Sequence, residues 1–412
     1  MRYNVCLMHP FDPLGRKVGG LETYIRDFIR LCPPDFSILM VGADGAGQRE
    51  LGRTIEVALE GRPFTFLPIL HYPEDEMHEA ATRLTKSITL NFFIQLARYL
   101  PTTSKLTRDG TWSAELRRME FALIPTLMRL PFVQMLHGEG APHQQMDSLL
   151  RRYWFLQNIN ERFSLSRCEK FLCVNPFITQ RVRRQYPSHA NKVETLTTWA
   201  NPQIYKPTQF RQRDGMYRIA FAGRLDNFKR PSVMFDAIAK ISNEFPGEVA
   251  FHYIGASDPF RFPEFSPIRP ITVLHGQKNA EEIAELMSTM DAGILTSEFE
   301  GMPRFVLEML RSGRPIVALH LPQLEPVIED GVSGFLVHAP NNAAEQADAV
   351  AEKLAALRKS ICANKLDPFA ISKKVEPYSP ETLLGRVYQI HREIQNGQRS
   401  KCSQFAAGQS DA

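Results

Sequence analysis

Ser297–Leu319 reads SEFEGMPRFVLEMLRSGRPIVAL, and the fold follows from how this stretch is parsed. Glu308-Met-Leu-Arg has helical character and Gly313 is a helix stop signal. Pro315-Ile-Val-Ala-Leu is a short apolar run of the kind that forms a buried strand. Ala292-Gly-Ile-Leu-Thr, just upstream, is another. The order is strand, loop with Glu300, helix with Glu308, turn, strand: one βαβ unit. Its loop and helix N-terminus lie at the carboxyl end of a strand, where open α/β sheets bind ligands. A helix N-terminus offers unpaired N–H groups and a positive dipole end, a setting for phosphate.

Working outward, the two carboxylates have separate readings. Glu308, inside the helix, suits ribose hydroxyls, while the backbone N–H groups of Phe305, Val306 and Leu307 face phosphate. Glu300 and Gly301, on the preceding loop, suit a sugar. The competing reading makes Glu308 a complement to the helix dipole and Glu300 a solvated loop residue. The stretch resembles the signature of the retaining glycosyltransferases of family four (glycosyl transferases group 1), in which two glutamates stand eight positions apart in the donor site. Ser297, Glu300, Gly301, Pro303, Glu308, Gly313 and Pro315 match it; Met309 and Ile316 stand where the family usually has Ala and Val. The resemblance implies a nucleotide-sugar donor, Glu308 on its ribose and Glu300 near its sugar.

The same resemblance extends along the chain. Tyr217-Arg-Ile-Ala-Phe-Ala reads as a strand followed by Gly223-Arg224 and then Lys229-Arg230-Pro231. A planar guanidinium and an ammonium on a glycine loop suit a diphosphate. The family places both cations on the donor diphosphate; Gly223, Arg224 and Lys229 match in spacing, and Arg230 replaces its usual Gly. Gly276 and Gln277, after a strand at Ile271–Gly276, stand where the family holds the nucleotide base. Near the start, Arg2–Met8 reads as a buried strand, and Gly19-Gly20-Leu-Glu22 opens a helix without a Gly-x-Gly-x-x-Gly fingerprint. The family carries Gly-Gly-x-Glu here, with an implied approach to the donor diphosphate and the acceptor. His137, at the end of a strand from Pro131, matches a family His on the donor sugar; His143 is a lesser candidate for the acceptor, and Asn201 a guess.

A chain of 412 residues is too long for one core and suits two domains. The resemblance implies the GT-B fold: α/β, two Rossmann-like doubly wound domains facing a central cleft. The expected division is 1–203 for the acceptor domain, a linker near 203–216, and 217–378 for the donor domain. A helix at 379–395 is expected to cross back to the first domain, with a disordered tail at 396–412. Ser37–Gly42 reads as a second strand, 46–80 is unassigned, and Asp330-Gly331 with Gly334 reads as a tight hairpin. Ser87–Leu100 and Trp112–Arg129 read as helices; Leu84–Pro131 carries seven Lys/Arg against three Asp/Glu. Those basic faces, and others in Leu149–Arg184, either face solvent or rest on an anionic membrane.

Hydrophobic content of 43%, charged content of 23% and a net charge of +4 describe a globular protein with no composition-level pointer to nucleic acid. The six cysteines lack metal-site spacing, which fits a reducing cytoplasm. No signal peptide and no apolar run of spanning length is legible. The expected reaction is transfer of a hexose-type sugar from a nucleoside diphosphate to a hydroxyl of a glycan or lipid-linked acceptor, in surface polysaccharide or lipopolysaccharide assembly. His137, Glu300, Arg224 and Lys229 are the expected catalytic residues; no cofactor or metal is expected, since no Asp-x-Asp is positioned as a metal site. A catalytically silent nucleotide-binding subunit of an assembly complex is the alternative.

Overall fold

Apolar runs four to six residues long, separated by helices, dictate parallel strands buried on both faces. The computed structural model describes residues 2–15, 19–73, 87–109, 111–137, 154–210, 215–338 and 342–410, with backbone alone at 154–156 and 401–410. His143, with the rest of the segment after His137, lies outside them. The chain divides into two units, one running to Leu196 and resuming at Glu381, the other from Thr197 to Pro380.

The first unit is an eight-stranded sheet in the order β3-β4-β2-β1-β5-β6-β7-β8. Its strands are β1 (Tyr3–Met8), β2 (Phe36–Asp44), β3 (Ile55–Leu59), β4 (Arg62–His71), β5 (Trp112–Leu116), β6 (Phe132–Leu136), β7 (Lys170–Cys173) and β8 (Val193–Thr195). All pairings are parallel except the β3–β4 hairpin, which occupies the stretch left unassigned from sequence. The helices are α1 (Gly20–Arg30), α2 (Ile88–Arg98), α3 (Leu100–Leu106), α4 (Leu123–Leu127), α5 (Trp154–Arg167) and α6 (Pro176–Gln185).

The second unit is a six-stranded parallel sheet in the order β11-β10-β9-β12-β13-β14. It contains β9 (Tyr217–Ala222), β10 (Val249–Ile254), β11 (Thr272–Leu274), β12 (Ala292–Leu295), β13 (Ile316–Leu319) and β14 (Gly334–Val337). Between them run α7 (Pro231–Glu244), α8 (Ala280–Ser288) and α9 (Arg304–Arg311), followed by α10 (Ala343–Cys362) and α11 (Pro368–Lys373). The last helix, α12 (Pro380–Ser410), belongs to the first unit.

Four sequence expectations change. Trp112–Arg129 is not helical throughout: Trp112–Leu116 is strand β5, between β1 and β6. Its polar residues are satisfied at long range: Glu115 lies 2.5 Å from the Arg117 guanidinium and 3.1 Å from Nε2 of His391 in α12. Ser113 Oγ lies 2.8 Å from Nδ1 of the same ring. Arg117 is therefore buried and cannot rest on a membrane. Second, the 396–412 tail is not disordered as far as Ser410, because α12 continues to that residue. Tyr3 donates to Asn396 Oδ1 at 3.2 Å, and Arg399 donates to the Arg2 carbonyl at 2.7 Å. Third, the Asp330–Gly334 turn feeds β14 in parallel with β13, so it is no hairpin. Fourth, the division falls at Leu196 and Thr197 rather than near 203–216. Fully buried Arg314 donates to the Thr208 carbonyl at 2.7 Å and to Gln209 O at 3.2 Å, which fastens that stretch to the second unit.

The helix stop read at Gly313 has a steric origin. Its φ is +74°, and a Cβ there would stand 2.7 Å from Cβ and the carbonyl oxygen of Pro368. An L side chain is excluded by both.

Candidate functional site

In the second unit the carboxyl ends of β9 and β12 are neighbours, because those strands pair directly. The loop after β9 carries Gly223, Arg224 and Lys229; the loop after β12 carries Ser297, Glu300 and Gly301. The structure joins the two loops. Lys229 Nζ lies 2.6 Å from Glu300 Oε1. The same oxygen accepts from Ser297 Oγ at 2.9 Å. Gln323 Nε2 donates to the Glu300 backbone carbonyl at 2.7 Å, which fixes the loop from the far side. Both side chains of the pair are about one-sixth exposed or less, at 16% and 14%, so the pair faces solvent at one edge.

Backbone and aromatic contacts set this register, and the sequence does not announce them. The rings of Phe228 and Phe299 stack at 4.7 Å. Glu298 N donates to the Phe228 carbonyl at 2.8 Å, and buried Thr296 Oγ1 donates to the Lys229 carbonyl at 2.8 Å. Lys229 Nζ also lies 5.3 Å from the centre of the Phe228 ring, within cation–π range. Arg230, standing where the resembled family has Gly, adopts φ 50° and ψ 59°, a left-handed conformation. It holds it beside Gln346 and Glu298.

Gly223 is supported from β10. Tyr253 OH donates to the Gly223 carbonyl at 3.1 Å and accepts from Ser257 N at 3.2 Å. Gly255 permits this contact, since a Cβ on it would stand 2.3 Å from the Gly223 carbonyl oxygen. Burial keeps the Tyr253 phenol above its ordinary range, against the opposing Ser257 hydrogen bonds and Arg261 charge, so it stays a donor. Arg224 differs from Lys229: its side chain is 73% exposed and lies 2.9 Å from Asp226. It is not gathered into the Lys229–Glu300 cluster.

α9 begins at Arg304, capped by Pro303. The Val306 N–H is already directed to the Pro303 carbonyl at 3.1 Å. In a helix opening at Arg304, the amides of Arg304 and Phe305 are the first-turn donors that remain. Of the three amides expected to face phosphate, those of Phe305, Val306 and Leu307, that of Val306 is thus already engaged within the chain. The side chains of all three are buried, and the Phe305 ring meets Phe221 at the end of β9, 5.5 Å between centres. Glu308, 9% exposed, sits 3.4 Å from Arg304 Nε. Its charge, after burial, helps to push the Tyr205 phenol well above its ordinary range. Gly276 and Gln277 are exposed after edge strand β11. Asn201 is buried; its side chain accepts from Gln203 N at 2.9 Å and so closes a local turn.

In the first unit, Gly19 is the N-cap of α1 and Gly20 its first residue. Gly19 has an extended φ of −177°, which any residue adopts. His137 follows β6 and is half-buried. Burial, then the charges of Arg117 and Arg118, hold its ring well below the ordinary histidine range, so it is neutral at pH 7. Burial also raises the thiols of Cys6, Cys168 and Cys173 to about 12, which makes them inert core residues. Among the described residues no helix is long and apolar enough to cross a membrane.

Residues 217–356, which contain the Lys229–Glu300 cluster and α9, match the family Glycosyl transferases group 1. Spore coat protein SA of Bacillus subtilis is 21% identical over 276 residues, 60% of this chain and 72% of that protein. Further curated relatives, 22–28% identical, are spanned over only 29–62% of their length. The fold is similar to that of sucrose-phosphate synthase from Thermosynechococcus elongatus, with a TM-score of 0.73 at 15% identity over 96% of this chain and 100% of that one. It is also similar to Anabaena HepE solved in complex with UDP and glucose, with a TM-score of 0.63 at 15% identity over 94% and 99% of the two chains. The fold class is GT-B, α/β with two Rossmann-like units.

Proposed function

We propose that this chain is a retaining glycosyltransferase that moves a hexose-type sugar from a nucleoside diphosphate to a hydroxyl of a glycan or lipid-linked acceptor. The observation that carries the reading is the Lys229–Glu300 pair, held at the carboxyl ends of adjacent strands beside the first turn of α9. The group 1 family match over 217–356 and the UDP complex of a protein of similar fold support it.

The chemistry follows from charge. As the glycosidic C–O bond breaks, its electron pair goes to the terminal phosphate oxygen of the leaving diphosphate. Lys229, the exposed Arg224 and the amides of Arg304 and Phe305 are suited to stabilise that charge without a metal. Lys229 and Ser297 both engage Oε1 of Glu300, leaving Oε2 to accept from a sugar hydroxyl. Glu308 takes the ribose, and the backbone at Gly276 and Gln277 the base. The acceptor oxygen attacks from the face the diphosphate leaves, and its proton passes to the departing phosphate. In this reading the first unit receives the acceptor, and Gly19, Gly20 and His137 are its residues to test. Assembly of a surface polysaccharide or lipopolysaccharide at the cytoplasmic membrane face is the proposed setting.

The test is release of nucleoside diphosphate from a panel of nucleotide sugars, with and without EDTA. Release that resists EDTA and is lost in Lys229→Ala supports the proposal. Saturable nucleotide binding with no release from any sugar nucleotide, acceptors included, would instead identify a silent binding subunit.

A further inference from the structure

The first unit's sheet carries different chemistry at its two ends. Trp112 opens β5 and Pro131 immediately precedes β6, so both stand at the amino-terminal edge of the first sheet. His137 follows the opposite, carboxyl end of β6. At the amino-terminal edge lies a cavity of about 510 Å³, walled in part by Lys105, Arg108, Trp112, Arg129 and Gln398. Three cations and no carboxylate line it. None of the three has an ion-pair partner among the described residues. Arg129 holds its side chain there from φ 53°, a left-handed position just past α4 where glycine is the usual occupant.

Two polar atoms of the wall are themselves unsatisfied. Trp112 Nε1 and Gln398 Oε1 are both buried, and neither has a hydrogen-bond partner among the described residues. Buried polar groups are ordinarily paired, so each unpaired one asks for a ligand or a water. A donor beside three cations suits phosphate oxygens. An acceptor in the same wall suits a hydroxyl. We propose that this cavity is a second ligand site, which binds a phosphate ester carrying a neighbouring hydroxyl. That chemistry is shared by a soluble polyol phosphate and by a glycerol-bearing phospholipid headgroup. Leu106 and Leu127, exposed at 36% and 61%, adjoin wall residues in sequence and engage only the second of these.

The site is independent of the proposed sugar transfer, and none of its residues takes part in that reaction. The test uses the full chain and two probes: glycerol 3-phosphate followed by tryptophan fluorescence, and vesicles of phosphatidylglycerol against phosphatidylcholine followed by sedimentation. The triple variant Lys105→Ala/Arg108→Ala/Arg129→Gly changes exposed side chains, and glycine suits the φ at 129. It should weaken binding of the effective probe at least tenfold. Trp112→Phe, which keeps a ring and removes the N–H, should weaken it in the sedimentation arm or by calorimetry. Binding of glycerol 3-phosphate identifies a soluble ligand. Binding confined to phosphatidylglycerol vesicles and lost in Leu106→Ser/Leu127→Ser identifies the headgroup. Failure of the wild-type chain to bind either probe, or equal binding by the triple variant, overturns the proposal.

Discussion

Lys229→Ala separates a chemical role from a structural one. The ammonium lies 2.6 Å from Glu300, and the two side chains are 16% and 14% exposed. Loss of an exposed ion pair costs about 0–1 kcal/mol, and loss of one partner of a fully buried pair about 3–5 kcal/mol. This pair lies between those limits, and Ser297 Oγ still serves Glu300 Oε1 after the change. The expected loss of stability is therefore about 1–2 kcal/mol. The rate should respond more. Removing one preorganised donor from a developing anion costs about 10²–10³ in turnover, or about 2.7–4 kcal/mol. The paired measurements are urea unfolding and nucleoside-diphosphate release at saturating sugar nucleotide. Glu300→Gln in the Lys229→Ala background removes the stranded charge, so it should recover part of the stability and none of the rate. Arg224→Ala is the graded comparison: its 73% exposed side chain should cost less in turnover than the loss of Lys229. A folded Lys229→Ala protein with wild-type turnover refutes the reasoning. So does a double variant whose rate returns together with its stability.

Three further outcomes test the framework around this pair. Gly255→Ala puts a Cβ 2.3 Å from the Gly223 carbonyl and 2.5 Å from Tyr253 OH; overpacking of this kind costs about 1–3 kcal/mol, and calorimetry should show that loss together with weaker nucleotide binding. Glu115→Ala leaves Arg117 buried without its carboxylate and should cost about 3–5 kcal/mol in urea unfolding, whereas an exposed helical glutamate would cost almost nothing. His252, hydrogen-bonded to His275 at 2.9 Å, is pushed down to about 4 by burial and then by the His275 and Arg218 charges. Below its ordinary 6.5 the unfolded chain binds a proton that the folded chain refuses. Stability should therefore fall as pH drops from about 6.5 to about 4 and level off below, and His252→Asn should flatten unfolding free energy over that window.

What the sequence makes legible is what lies close together along it. The βαβ unit at Ser297–Leu319 carries its strand, stop signal and both glutamates in one stretch, so its reading needs no distant partner. The Gly223–Lys229 loop is legible for the same reason. Trp112–Leu116 fails the same test. Ser113 and Glu115 look like the polar positions of an amphipathic helix, because the residues that neutralise them in a central strand include His391, far along the chain. No local periodicity carries that information, and β propensity yields to such tertiary pairing. The tail misleads in the same way: a polar run through Gly397 reads as disorder until Tyr3 and Arg2 are found beside it. Asp330-Gly331 shows the reverse error, since a correct turn signal says nothing about the direction of the strand that follows.

The candidate site combines both kinds of information. Its charges are legible because each sits in a short motif; its geometry is not, because two loops about seventy residues apart must be brought into one register. That register rests on the Phe228–Phe299 stack, the Glu298 amide on the Phe228 carbonyl and the Thr296 hydroxyl on the Lys229 carbonyl. None of these contacts is marked by a charge or a spacing, because they are made by rings, main-chain groups and a hydroxyl. Arg230 makes the coupling explicit. It keeps a left-handed backbone that disfavours an L residue by about 1–2 kcal/mol, while its guanidinium reaches Glu298 on the other loop. A glycine there would relax the backbone and release that tie. The substitution that reads from sequence as a departure from the motif is, in the folded chain, a second link between the loop that supplies the cation and the loop that supplies the acid.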